Sequence, residues 1–263
     1  MSKFHKAMLS SLLFTGLFSA SLYAVPTPED EKLNLLQVGD SLSLEFSQDV
    51  LSNANDLGLD KADEDYYTIE SITVTRLEDQ DLIVDNKFDP ASLGQVIMSF
   101  ERLIAFGKQV WEIVDAGRPV MNNDYMQPIS VLPNNEDGQA TFYSMSGWSV
   151  PRAQTYRVEY KNGLGMTVIS FDYTVSFQYD GQFEGKGAYL TGVDVSASNV
   201  AVSWGFSFDA NSQLVTISNR GTLEDPIAGA TLQINFNSSS VLREINSSER
   251  FHVSGNGELH HLR

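Results

Sequence analysis

The reaction class for which this chain carries most raw material is acid–base chemistry between carboxylates. It holds 34 Asp and Glu against 17 Lys and Arg. A retaining glycosidase needs two carboxyls about 5–5.5 Å apart, a separation that neighbouring strands supply. Asp172 is the acid with the best-defined setting. It lies mid-strand on the polar side of an alternating run, opposite Arg157 or Glu159 if the turn at Asn162-Gly163 sets the pairing. A strand acid in that position is ordinarily solvated or salt-bridged. A carbohydrate-active enzyme with a carboxylate pair is therefore an alternative reading and not the leading one.

Other chemistries find less. No Gly-x-Ser-x-Gly elbow occurs, and the chain has no Cys to serve as a nucleophile. The stretch Gly181 to Gly187 resembles a phosphate loop only in glycine content; its spacing is one residue short and no Ser or Thr follows Lys186. Beyond the first 24 residues the histidines are His252, His260 and His261. Adjacent histidines on a strand point to opposite faces, so the terminal pair is a poor chelate, and residues 255–263 are expected to form a solvated tail. No catalytic, cofactor-binding or metal-ligating residue is assigned.

Two weaker signals remain. Asn53 to Glu64 places Asn53 and Asn55 at loop positions one and three, Gly58 at six and Glu64 at twelve, which is similar to an EF-hand loop and makes Ca2+ a possible ligand. It departs at position one, at Leu57 and at Asp60. Tyr143, Trp148, Tyr156, Tyr160 and Tyr189 lie on or near strands and are the candidate surface-binding aromatics, suited to stacking on sugars or gripping a protein.

Charge and the first residues bound where such a site would work. Lys3 and Lys6 precede an apolar run from Ala7 to Leu22 and then Tyr23-Ala24 before Val25-Pro26, the layout of a secretory signal peptide over 1–24. Removing it takes the net charge from −17 to about −19, since it carries two lysines and no acid. Such a charge repels nucleic-acid backbones and anionic lipid, and integral membrane insertion is not expected. An exported chain without disulfides fits a Gram-negative periplasm, outer surface or surroundings better than a eukaryotic secretory route. A protein or glycan partner is expected but not identified.

The elements that must position these residues are mainly strands. Residues 25–121 are expected to hold short strands, at 41–46 and 67–75 and near 82–84, and then one long amphipathic helix over about 90–116. Asp89-Pro90 marks its start, and an apolar stripe runs through Leu93, Val96, Ile97, Phe100, Leu103, Ile104, Val110, Trp111 and Val114. Gly117 and Pro119 end it. Residues 122–139 read as a loop or junction.

From 140 to 254 the pattern is strand after strand: 140–149, 154–161, 166–179, 183–195, 199–208, 213–218, 230–237 and 249–254, with turns at Asn162-Gly163, Asp180-Gly181, Asp209–Asn211, Asn219–Gly221 and Asp225-Pro226. The clearest is the second arm of the Tyr156–Tyr179 hairpin. There Ile169, Phe171, Tyr173, Val175, Phe177 and Tyr179 alternate with Ser170, Asp172, Thr174, Ser176 and Gln178. The fold class is an antiparallel β-sandwich of about eight to ten strands with the long helix packed on or beside it. An outer-membrane barrel would want strands of more uniform length and a terminal aromatic strand. The function expected is that of an exported binding or structural module. The alternatives are a membrane-active or pore-forming protein using the helix and the aromatic hairpin, and the carboxylate enzyme above.

Overall fold

The computed structural model describes residues 45–77, 96–107, 128–134 and 143–262. These build two antiparallel sheets facing each other.

The larger sheet grows from the expected hairpin. Strand β7 (Arg152–Asn162) and strand β8 (Thr167–Phe183) pair in register from Arg152 opposite Phe177 to Lys161 opposite Thr167. The turn closes where Asn162 N–H donates to the Met166 carbonyl at 3.0 Å, and Asn162 Oδ1 takes the Leu164 and Met166 N–H groups. Strand β9 (Lys186–Val202) returns along β8 after a two-residue turn whose central residues, Glu184 and Gly185, both have positive φ. That is the primed turn whose twist suits a hairpin. Strand β2 (Ile69–Arg76) lies outside β7. On the other side come β5 (Ile129–Pro133), β4 (Leu103–Phe106) and β3 (Val96–Phe100), while β6 (Met145–Ser146) pairs with the end of β8.

The smaller sheet holds β10 (Ser207–Asn219), β11 (Ala228–Ser239) and β12 (Arg243–Ser254). The outer edge of β12 is shared: β1 (Glu45–Val50) pairs with its first half and β13 (Leu259–Leu262) with its second.

The alternating face of β8 turns into the space between the sheets. Ile169, Phe171, Tyr173, Val175 and Phe177 are all buried there. Opposite them Phe208, Phe236 and Phe251 come from the smaller sheet, with ring centroids 4.5 Å apart for Phe171–Phe208 and 5.3 Å for Tyr156–Phe251. One continuous hydrophobic cluster links both sheets. Core aromatics of this size contribute both buried area and ring contacts, and they set the sheet spacing.

Several expectations are corrected. No helix spans 96–106: those residues form the β3–β4 hairpin, turning at Glu101-Arg102 with Arg102 at φ 68°. The remaining residues of the expected helix lie outside the described ones, as do the starts and stops at Asp89-Pro90, Gly117 and Pro119. The cause is double-sided burial. Leu103 and Ala105 face the main core, while Phe106 and Ile104 pack with Leu132, Met145 and Trp148 on the other side of the sheet. A strand covered on both faces shows a continuous apolar run, which reads as a helix stripe just as well. The one helix among the described residues is short, α1 (Lys61–Tyr67), capped by Asp60, whose Oδ1 accepts the Asp63 N–H.

The stretch 122–139 is not simply a junction, because it contains β5, buried along its length between β4 and β9. Residues 199–208 are not one strand. β9 ends at Val202 and β10 begins at Ser207 in the other sheet, so this is a crossing between sheets. The turn expected at Asp209–Asn211 lies inside β10. Residues 259–262 form an edge strand where a solvated tail was expected. Of the early strand expected at 41–46, residues 45 and 46 open β1 and the rest lies outside the described residues, as does the strand expected at 82–84.

Candidate functional site

The residue sequence reasoning missed is Glu249. Strand β12 begins at Arg243, not at 249, and its alternation runs Ile245, Ser247, Glu249, Phe251, Val253 on the inward face. An acid therefore points into the core between the sheets. The signal is present in the sequence as a period of two through 245–253, visible once the strand is started six residues earlier. Tyr173 of β8, wholly buried on the facing sheet, donates its hydroxyl to Glu249 Oε2. The other oxygen, Oε1, has no hydrogen-bond partner among the described residues. At the rim, His261 of β13 lies over Phe251 with ring centroids 5.0 Å apart, and its Nε2 is 3.9 Å from Glu249 Oε2. The Tyr160 hydroxyl, also buried, faces Ser238 and Ser247.

Burial dominates the electrostatics of this cluster. Loss of solvent raises the Glu249 carboxyl from 4.5 to about 7, against the opposing pull of the Tyr173 hydrogen bond. The Tyr173 phenol is pushed well above its usual value by burial and then by the Glu249 charge. Burial likewise raises the Tyr160 phenol. Glu249 is 3% exposed, a carboxyl held inside the packed core.

Asp172 is placed where the turn predicted, opposite Arg157. The contact is bidentate, with Arg157 Nε 2.7 Å from Oδ1 and Nη2 2.9 Å from Oδ2, and Asn199 Nδ2 donates to Oδ2 at 2.7 Å. The Arg157 hydrogen bond is the main cause that holds the Asp172 carboxyl below its ordinary value. Across the sheet it faces Arg157 and Ser198, not a second acid. The pairing that a glycosidase needs is not assembled at Asp172.

In the EF-hand-like stretch the side chains expected at ligand positions make local contacts. Asn53 Oδ1 accepts the Asn55 N–H, Asp60 caps α1, and Glu64 sits in the first turn of α1 beside Lys61. Among the described residues no group of three or more His, Asp or Glu is placed to hold a metal ion.

The five candidate aromatics divide. Tyr156, Tyr160 and Tyr189 are buried and are corrected to core residues: β7 turns Tyr156 and Tyr160 inward, and Tyr189 is buried on β9. Trp148 is half-buried. Its ring abuts Gly181 of β8, so close that a Cβ there would stand 2.3 Å from the ring. Tyr143 is exposed.

No family model, curated protein or solved structure matches this chain.

The surface that the structure sets apart is one end of the sandwich. Backbone and side-chain bonds tie five segments together there. Leu51 N–H donates to the Leu242 carbonyl at 2.8 Å, Gly163 N–H to Asp65 O at 2.9 Å, and Ser203 N–H to Val168 O at 2.8 Å. The Ser240 hydroxyl donates to Tyr67 O at 2.7 Å and the Tyr66 hydroxyl to Trp204 O at 3.0 Å. These linked segments expose Val50, Leu51, Leu57, Leu164, Met166, Trp204 and Val241, seven of the thirteen large hydrophobic residues found exposed among those described. Trp204 is the most exposed of the seven, at 79%. Its position is fixed by Gly205, which has φ +83° and abuts the Tyr67 ring so closely that a Cβ would stand 2.6 Å from it. Scattered exposed apolar residues need no explanation, whereas seven of thirteen gathered at one end are a departure from scatter. Among the described residues no helix is long and apolar enough to cross a membrane.

Proposed function

We propose that this chain is an exported binding module of a Gram-negative envelope or its surroundings, and that it works by contact through the loop end of its sandwich. The observation that carries this is the concentration of exposed apolar side chains on four segments bonded to one another and to α1. A rigid two-sheet core that holds loop tips in fixed relation is a common way to build a recognition surface. The acids that could have served catalysis support the same reading. Glu249 is sealed in the core, and Asp172 is held by Arg157 and Asn199. The pore-forming alternative drew on a long helix, and residues 96–106 of that helix are a β-hairpin.

The test compares the chain with the triple variant Leu164→Ser/Met166→Ser/Trp204→Ser. Both are immobilised and exposed separately to membrane, glycan and soluble-protein fractions of a Gram-negative envelope. The reading requires a fraction retained by the parent and released by the variant at unchanged melting midpoint. Equal retention by both proteins in every fraction would overturn it.

A further inference from the structure

Resting on that reading, we infer that the occupant of the loop end is a zwitterionic lipid surface, with Trp204, Leu164, Met166 and Leu57 seated at headgroup depth.

Shape is the first argument. The cleft described at this end, lined by Val50, Ser52, Glu64, Leu242 and Arg243 among others, holds only about 140 Å³. Grooves that take a ligand or an anchoring side chain run to about 300 Å³ and more. Leu57, Leu164, Met166 and Trp204 stand on three separate connections, each is exposed, and none of them lines this cleft. Projecting tips suit a fluid surface that closes around each of them, and a rigid partner would need a matching recess for every one.

Chemistry is the second. Trp204 is highly exposed, yet its backbone is pinned by the Tyr66 hydroxyl and by Gly205 against Tyr67. Tryptophan concentrates at the membrane–water boundary, where its ring meets acyl chains and its N–H meets water. Leucine and methionine on the adjacent Asn162–Met166 turn supply purely apolar area beside it.

Charge chooses between lipid classes. The segment nearest these tips carries Asp56, Asp60, Asp63, Glu64 and Asp65, while its one lysine, Lys61, is engaged by Asp65 at 2.7 Å and by Glu64 at 3.5 Å. The chain as a whole is at −17. Anionic leaflets attract basic segments and repel this one. A zwitterionic headgroup presents an ammonium outward, which an acidic collar tolerates or favours.

The experiment uses the full chain and its Trp204→Phe variant, so that the difference spectrum reports Trp204 alone whatever else in the chain meets lipid. Phosphatidylcholine vesicles are added, and then vesicles of phosphatidylcholine mixed with phosphatidylglycerol. The expected result is a blue shift of Trp204 emission, quenched by brominated phosphatidylcholine. Partitioning should weaken in the mixed vesicles, and Leu164→Ser/Met166→Ser should lower it by about tenfold, a change equivalent to about 1.4 kcal/mol. An unshifted Trp204 spectrum, or tighter binding to the anionic vesicles, overturns the lipid assignment. If the Trp204 spectrum then responds instead to an envelope protein, to a glycan or to self-association at raised concentration, the contact-surface reading stands without the lipid. If it responds to none of these, both fall.

Discussion

Replacing Glu249 by Gln should change how the stability of this protein depends on pH. Glu249 is 3% exposed, accepts from Tyr173 on one oxygen and has no partner among the described residues for the other. Its carboxyl titrates at about 7 in the folded chain against 4.5 ordinarily, because burial disfavours the charged form. The folded state therefore holds this proton more tightly than the unfolded state does. Between pH 4.5 and about 7 the native chain binds the extra proton, so the contribution is greatest at or below 4.5 and is lost as pH rises through that window. At about 1.4 kcal/mol per pH unit, the interval corresponds to a loss of about 3 kcal/mol, complete above about pH 7. The amide introduced by Glu249→Gln does not ionise. Urea unfolding of both proteins at pH values from about 4.5 to about 8 should show the parent losing about 3 kcal/mol relative to Glu249→Gln, after which the two curves run parallel. Burial raises the Tyr173 and Tyr160 phenols, which face Glu249, above this window, so neither titrates within it. Parallel curves across the whole window would refute the reasoning, since they would mean that Glu249 is either solvated or stably ion-paired in solution.

Tyr173→Phe removes the hydroxyl that donates to Glu249 and should destabilise the fold by about 1–3 kcal/mol, while moving the pH-dependent loss to higher pH; the same unfolding series reads both. Asp172→Asn should cost about 1–2 kcal/mol at neutral pH, a figure discounted because the Arg157 side chain is 47% exposed. Asp172 titrates below its ordinary 3.8, so its contribution is present above about pH 4 and fades as pH falls further; the gap between parent and variant should close there. Gly181→Ala should displace the Trp148 ring, at a cost of about 1–3 kcal/mol and with a shift in tryptophan emission, since the new methyl would stand 2.3 Å from it. Removing residues 259–263 uncovers the half of the β12 edge that β13 pairs with, and should produce concentration-dependent association by light scattering.

The hairpin at the centre of the larger sheet is legible because a period of two persists over many residues and ends at an Asn-Gly turn, two local signals that agree. Burial of its aromatic face follows from that period, yet the same inference removes Tyr156 and Tyr160 from the surface, where a reading of residue type alone puts them. Turn register narrows the partner of Asp172 to Arg157 or Glu159, and the irregularity between Tyr160 and Lys161, which is not legible locally, settles it on Arg157. What could not be read locally was anything decided by a distant partner. The β3–β4 hairpin owes its state to β5 on one side and to the Trp148 cluster on the other. Similarly, β13 is a strand because half of the β12 edge is left open to it. The loop-end surface was illegible for the same reason. Leu57, Leu164, Trp204 and Val241 come from four separate connections, and only the packing of both sheets brings them to one end.

The order in which strands pair has a consequence for how the chain comes to be folded. Glu45 lies opposite Ser248, and Ile69 opposite Asn162. During synthesis, β1 and β2 emerge long before the strands they hydrogen-bond to, and β1 must wait until almost the whole chain is out. Non-local pairings of this kind close slowly, on the millisecond-to-second scale typical of all-β sandwiches. The larger sheet draws only on residues 69–202 and can pair before the smaller one is complete, whereas β1 stays without its partner until β12 appears. That delay leaves the β1 edge unpaired and exposed for as long as the wait lasts.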